Sequence, residues 1–187
     1  MIGIGFIILA TFLFLIFVSI GGVVSSYNGF VTLTQDIRTQ FSNIITEYQR
    51  RTDLFYNLVQ SVKSFKTHEK STLKEVIEAR NMSFGQSKKQ DIKNMAKLDG
   101  LFSKLLAVVE QYPNLKADTQ HNKLMDEIRI TEDRVNISRT DYNNIVNTYN
   151  VKVKRFPSNI IAGMFNFDLE GYFKGQEGIE QSPKISL

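Results

Sequence analysis

The chain has 187 residues, with 23 Lys and Arg against 19 Asp and Glu, a formal net charge of +4, and no cysteine. The missing cysteines exclude disulfides, thiolate metal sites, a cysteine nucleophile and a lipid-modified cysteine at a membrane boundary. The opposite charges are well mixed along the chain. That pattern marks solvated helix faces and speaks against a nucleic-acid footprint.

The first charged side chain is Asp36, and Ile2 to Val24 is an apolar run interrupted only mildly by Thr11 and Ser19. At about 1.5 Å per residue such a helix reaches roughly 35 Å, enough to cross a hydrocarbon core of about 30 Å. A cleaved signal peptide would have a basic start, a shorter apolar stretch and a small-x-small site. No Lys or Arg precedes this run, and no Ala-x-Ala pattern follows it. Residues 1–26 are therefore read as a retained transmembrane anchor. Arg38, Arg50, Arg51, Lys63 and Lys66 all follow the run, so the positive-inside rule leans toward a cytoplasmic position for the remainder.

Prolines occur only at 113, 157 and 183, leaving long stretches open to helix. Ile37, Phe41, Ile44, Tyr48, Arg51, Phe55, Leu58 and Val62 recur at spacings of three and four, which predicts a helix from the anchor to about Phe65. A second, short helix is expected from Thr67 or His68, with Leu73, Val76, Ile77, Arg80 and Phe84 on one face. Gly85 to Gln90 reads as a polar loop. Ile92, Met95, Leu98, Phe102, Leu105, Leu106 and Val109 stripe a third helix that starts near Asp91 and is stopped by Pro113. Asp118 is the expected N-cap of a last long helix, striped by Leu124, Ile128, Thr131, Val135, Ser138, Tyr142, Ile145, Tyr149 and Val153. Strand alternation does not persist anywhere. The fold class predicted is all-α: an N-terminal transmembrane helix, then an elongated up-and-down antiparallel bundle over 27–156.

Arg51, Arg80, Thr131 and Ser138 stand where the stripes call for apolar residues. A buried Arg requires a paired carboxylate, and Asp53, Glu78, Glu132, Asp133 and Asp141 are available. Arg51, Arg80, Asp53, Glu132 and Arg134 are therefore grouped as a structural polar network. Residues 157–175 crowd apolar side chains together, either as a cap folded over the bundle or as a docking surface for a subunit or lipid. The surface would comprise Phe156, Ile160, Ile161, Phe165, Phe167, Tyr172 and Phe173. Residues 176–187 are polar and read as a flexible tail.

The search for catalytic chemistry finds little. His68-Glu69 lacks the second His that a zinc-protease helix carries four residues on. There is no Gly-x-Ser-x-Gly elbow and no phosphate-cradling Gly-rich loop. Lys152, Lys154 and Arg155 are explained by the dipole at a helix C-terminus. No catalytic, cofactor-binding or metal-ligating residue is assigned.

A set of blocks nevertheless recurs in a familiar order. Tyr27-Asn28 follows the apolar run; Arg50, Arg51, Asp53 and Leu54 precede Asn57-Leu58-Val59; His68-Glu69 precedes Glu75, Ala79 and Arg80. Leu105 and Ala107 are followed by Glu110, Tyr112-Pro113, Leu115, Lys116 and Ala117. Thr131, Glu132, Arg134 and Val135 lead to the pairs Tyr142-Asn143 and Tyr149-Asn150. Phe156-Pro157, Asn159, Ala162-Gly163, Phe165 and Tyr172-Phe173 close the series. In these blocks, from Tyr27 to about Phe173, the chain resembles the LemA family of bacterial and archaeal membrane proteins. One departure is Tyr56, where that family usually has proline, and it predicts a straighter first helix here. The resemblance implies an amino-terminal span, an up-and-down bundle of long helices and no established enzymatic activity. One relative is associated with building magnetosome membranes.

The resulting expectation is a membrane-anchored, non-enzymatic scaffold or assembly protein, single-pass in the cell membrane. Its partners would be the lipid bilayer, further copies of itself in a homo-oligomer, and other membrane proteins; no nucleic acid and no cofactor are expected. The competing class is a membrane-anchored hydrolase.

Overall fold

A computed structural model describes residues 2–61, 70–111 and 119–173. Among them are five helices and no strands: α1 (Ile2–Ser61), α2 (Lys70–Ala79), α3 (Lys88–Glu110), α4 (Thr119–Lys154) and α5 (Ser158–Met164). The all-α class is thus as predicted. The expected starts at Thr67 or His68 and the Asp118 cap lie outside the described residues, as does the 176–187 tail. The chain divides into two compact units, one of Met1–Gln40 with Thr140–Leu187 and one of Phe41–Arg139.

Helix α1 continues without a break through Gly21, Gly22, Gly29 and Tyr56. Within its apolar part the Thr11 and Ser19 hydroxyls donate to the carbonyls of Ile7 and Leu15 at 3.0 and 2.8 Å. Neither polar group is left unsatisfied, as a low-dielectric surrounding demands. This is the one described helix long and apolar enough to cross a membrane, and none of its most apolar window is buried by the rest of the chain.

In the Phe41–Arg139 unit, the stripes meet as their spacing dictates. Ile44, Tyr48, Phe55 and Leu58 of α1 are buried, with Met95, Leu98, Phe102 and Leu105 of α3 and Ile128 and Val135 of α4. Phe55 and Phe102 stack with ring centroids 4.0 Å apart. Phe41 meets Lys88, Tyr48 meets Asp99 and Phe55 meets Phe102, so α1 and α3 run in the same sense. Tyr48 with Arg139 and Arg51 with Glu132 set α4 antiparallel to them.

The α2–α3 connection runs over 80–87 and not 85–90: α2 ends at Ala79, short of the expected Arg80 and Phe84, and α3 already begins at Lys88. Its N-cap is Ser87, whose hydroxyl accepts from the Gln90 amide at 3.3 Å. Asp91, buried in the first turn, accepts from the Gly85 amide at 3.0 and 3.1 Å. A carboxylate there also complements the positive helix end. Gly85 has φ +88°, a conformation that a side chain would strain. Capping therefore extends the helix beyond where its apolar periodicity begins.

Candidate functional site

The most concentrated polar chemistry lies inside the Phe41–Arg139 unit. Asp99 of α3 accepts from the Tyr48 hydroxyl at 2.9 Å through either oxygen, from Arg51 at 2.8 Å and from Arg139 at 2.8 Å. Arg51 also pairs with Glu132 of α4, and Arg139 donates to the Tyr48 oxygen. The Arg51 guanidinium lies 4.6 Å from the centre of the Phe102 ring. Two guanidinium groups thus face two carboxylates, and the cluster is neutral. Side-chain exposure is 7% for Arg51, 16% for Asp99 and 37% for Glu132. The Asp99 end is shielded from solvent, and the Glu132 end opens toward it.

Burial raises the Tyr48 phenol well above its ordinary range. The Asp99 charge and hydrogen bond add to the rise, and Arg139 and Arg51 oppose it. The folded state thus keeps a proton that the unfolded chain releases near pH 10. This contribution to stability is fully present below about pH 10 and is lost as pH rises through the higher folded value. Unfolding measured in detergent above pH 10 is expected to show stability falling more steeply in the wild-type chain than in Tyr48→Phe, by up to about 1.4 kcal/mol per pH unit. Equal slopes would show that the phenol titrates normally.

Of the network expected from sequence, Arg51 and Glu132 come together here. Arg80 and Asp53 form a pair of their own at 3.3 Å, both more than half exposed. Such a pair contributes little, although Arg80 also covers the Tyr56 ring at 4.5 Å. Arg134 is exposed. Thr131 is fully buried and satisfied by the Glu127 carbonyl at 2.9 Å. The residues missed are Asp99 and Arg139. Their signal lay at the stripe edges, where Met95–Asp99–Phe102 and Val135–Arg139–Tyr142 both run i, i+4, i+7.

In the other unit, the crowded apolar segment resolves into α5 and an extended strap. The Ser158 hydroxyl lies 2.6 Å from the Lys152 carbonyl and 2.8 Å from that of Arg155, capping the end of α4. Helix α5 closes with Asn166 in the left-handed region at φ 55° and the Phe167 amide donating to the Ala162 carbonyl at 2.9 Å. This is a Schellman-type ending, with Asn in the position that Gly more often fills. It turns the chain back on itself. Phe165 then lies 4.8 Å from the Tyr27 ring, and Phe167 stacks on buried Phe30 at 4.7 Å.

From there α4 holds the strap by its backbone. Asn150 donates to the Glu170 carbonyl and accepts from the Glu170 amide, both at 2.9 Å. Asn143 does the same with Phe173, at 3.0 and 2.8 Å. The Tyr142 hydroxyl donates to the Gly171 carbonyl at 3.1 Å. The Tyr149 phenol is raised by burial, with the Glu170 and Asp168 charges adding and a Thr34 hydrogen bond opposing. The repeated Tyr-Asn pair seven residues apart was visible in the sequence; its use as a backbone clamp was not. Among the candidate surface residues, Ile161 is buried, Phe167 and Phe173 are half-buried against aromatic partners, and Phe156, Ile160, Phe165 and Tyr172 are exposed.

Among the described residues no group of three or more acidic or histidine side chains gathers as a metal site would require. His121 is buried, and its Nδ1 has no hydrogen-bond partner. His68 lies outside the described residues.

Comparison with known proteins gives the arrangement its relatives. The chain is 31% identical to magnetosome protein MamQ 2 of Paramagnetospirillum magneticum over 175 residues, covering 79% of this chain and 64% of that protein. It is 30% identical to magnetosome protein MamQ of Magnetospirillum gryphiswaldense, with 79% and 64% covered. It is 24% identical to protein LemA of Metamycoplasma hominis, with 76% and 66% covered. The chain thus spans just under two thirds of the length of these relatives. The model of the LemA family matches residues 40–187, which takes in the charged cluster, the asparagine clamps and the strap. The chain belongs to the LemA family.

Proposed function

We infer that this protein is a membrane-anchored, non-enzymatic scaffold. The start of α1 crosses the bilayer once, the helical units lie on the cytoplasmic side, and copies associate laterally into a homo-oligomer that holds other membrane proteins. The observation that carries this reading is the division within α1. Its uncharged N-terminal part leaves large side chains such as Phe17 77% exposed, whereas its Phe30–Leu58 stretch buries its stripe against neighbouring helices. An exposed apolar surface of that length is at home in lipid.

The charged cluster supports a structural role over catalysis, since Asp99 is engaged by three donors from neighbouring side chains. Anchored copies project from one membrane in the same orientation, which favours side-by-side, self-complementary contact. The full-length protein is expected to remain in the membrane pellet after carbonate washing, and its detergent extract to show a mass several times that of the protomer by light scattering. Release by carbonate would overturn the anchor, and a monomer mass would overturn the assembly. With no native cysteine, Gln86→Cys should react with an impermeant thiol reagent only after cells are permeabilised; ready labelling of intact cells would reverse the orientation.

A further inference from the structure

Helix α5 carries large apolar side chains on its outer face as well as its inner one. Ile161 and Ala162 pack inward, whereas Phe156 just before it, and Ile160 and Met164 on its outer face, are 76%, 52% and 66% exposed. Ile160 and Met164 are four residues apart and share one side of the helix, and exposed Phe156 lies just ahead of it in the chain. Their position along α1 is fixed by ring contacts. Phe30 meets Tyr149 of α4 and lies under the Lys152 ammonium, and Tyr27 meets Phe165 at the end of α5. Helix α4 therefore descends along α1 toward the apolar run, and α5 sits where that descent ends. Val24, the last residue of the run, is three residues from Tyr27, about 4.5 Å along the helix axis. Lys154 and Arg155, at the junction of α4 and α5, are both exposed.

The geometry points to α5 as a second, peripheral membrane contact: its Ile160–Met164 face, together with Phe156 ahead of it, enters the interfacial layer of the same bilayer that α1 crosses, with Lys154 and Arg155 against anionic headgroups. This rests on the anchor reading above. The occupant follows from continuity with the apolar run and from charge. Large apolar side chains flanked by basic ones are the composition of interfacial helices, which settle about 5–10 Å into the headgroup and acyl boundary. Basic side chains beside them are drawn to an anionic leaflet and reach up to the headgroups while their stems stay in the apolar layer. With α1 and α5 both engaged, the unit that contains them has two points of attachment, and its rotation about the α1 axis is restrained.

The chain contains no Trp, so single tryptophans report directly. Full-length Ile160→Trp and Met164→Trp, reconstituted in phosphatidylcholine and phosphatidylglycerol vesicles, are compared with Phe14→Trp inside the apolar run; helicity by circular dichroism confirms that each is folded. Lipid brominated high on the acyl chain is expected to quench all three roughly twofold or more, with both α5 tryptophans shielded from aqueous acrylamide. Quenching of Phe14→Trp by bromolipid, with the α5 tryptophans quenched only by acrylamide, would overturn the proposal and leave the anchor standing. Shielding of the α5 tryptophans from both quenchers would assign the face to a protein partner and also overturn it. No bromolipid quenching of Phe14→Trp would remove the anchor reading and this inference together.

Discussion

Asp99→Ala is expected to lower unfolding stability by about 3 kcal/mol, with the melting midpoint of the 222 nm circular dichroism signal in detergent falling by roughly 10 °C. The substitution removes the carboxylate that engages Tyr48, Arg51 and Arg139. Removing one partner of a buried charge pair costs about 3–5 kcal/mol, because the other charge remains desolvated. The low end applies here, since Asp99 is slightly exposed and Glu132 still faces Arg51. Asp99→Asn keeps the shape and one acceptor and should lose less. A change below about 1 kcal/mol for Asp99→Ala would show that water already solvates the cluster and that its charges are not interdependent.

Phe102→Ala should cost a comparable or larger amount, about 3–5 kcal/mol in the same measurement. Phe102 is fully buried, stacks on Phe55 at an interplanar angle of 11°, and offers its face to Arg51. Truncation therefore leaves a cavity between α1 and α3 and removes an aromatic pair worth about 0.5–1.5 kcal/mol beyond its area. Phe102→Leu refills most of the volume and is expected to recover over half of the loss. A loss under about 1 kcal/mol for Phe102→Ala would mean that the helices close over the gap. Because Asp99 and Phe102 both touch Arg51, their effects should not add.

Much of this core was legible in the sequence because long helices repeat their apolar positions many times. The run from Ile37 to Leu58 states its buried face on seven successive occasions. Arg51 was equally legible, as a charge on that face that required a carboxylate. Its main partner was not, because Asp99 lies 48 residues away in the chain and sequence spacing carries no information on which helices adjoin. Helix α5 escaped notice for another reason. Seven residues make two turns, too few for a period to show, and its apolar residues cover both an inner and an outer face. The strap has no periodicity at all. Its position comes from side chains on α4, so nothing within 165–173 announces it.

The two asparagine clamps act as a ruler. Asn143 and Asn150 are seven residues apart on a helix, about 10.5 Å along its axis. Glu170 and Phe173 are three residues apart, and three residues of extended chain span at most about 10 Å, which matches that interval. Two extended residues would fall short of the interval and four would overshoot it. Each clamp reads only an amide and a carbonyl, so the hydrogen bonds that fix the segment's register do not depend on its own side chains. The address of the strap is written on α4.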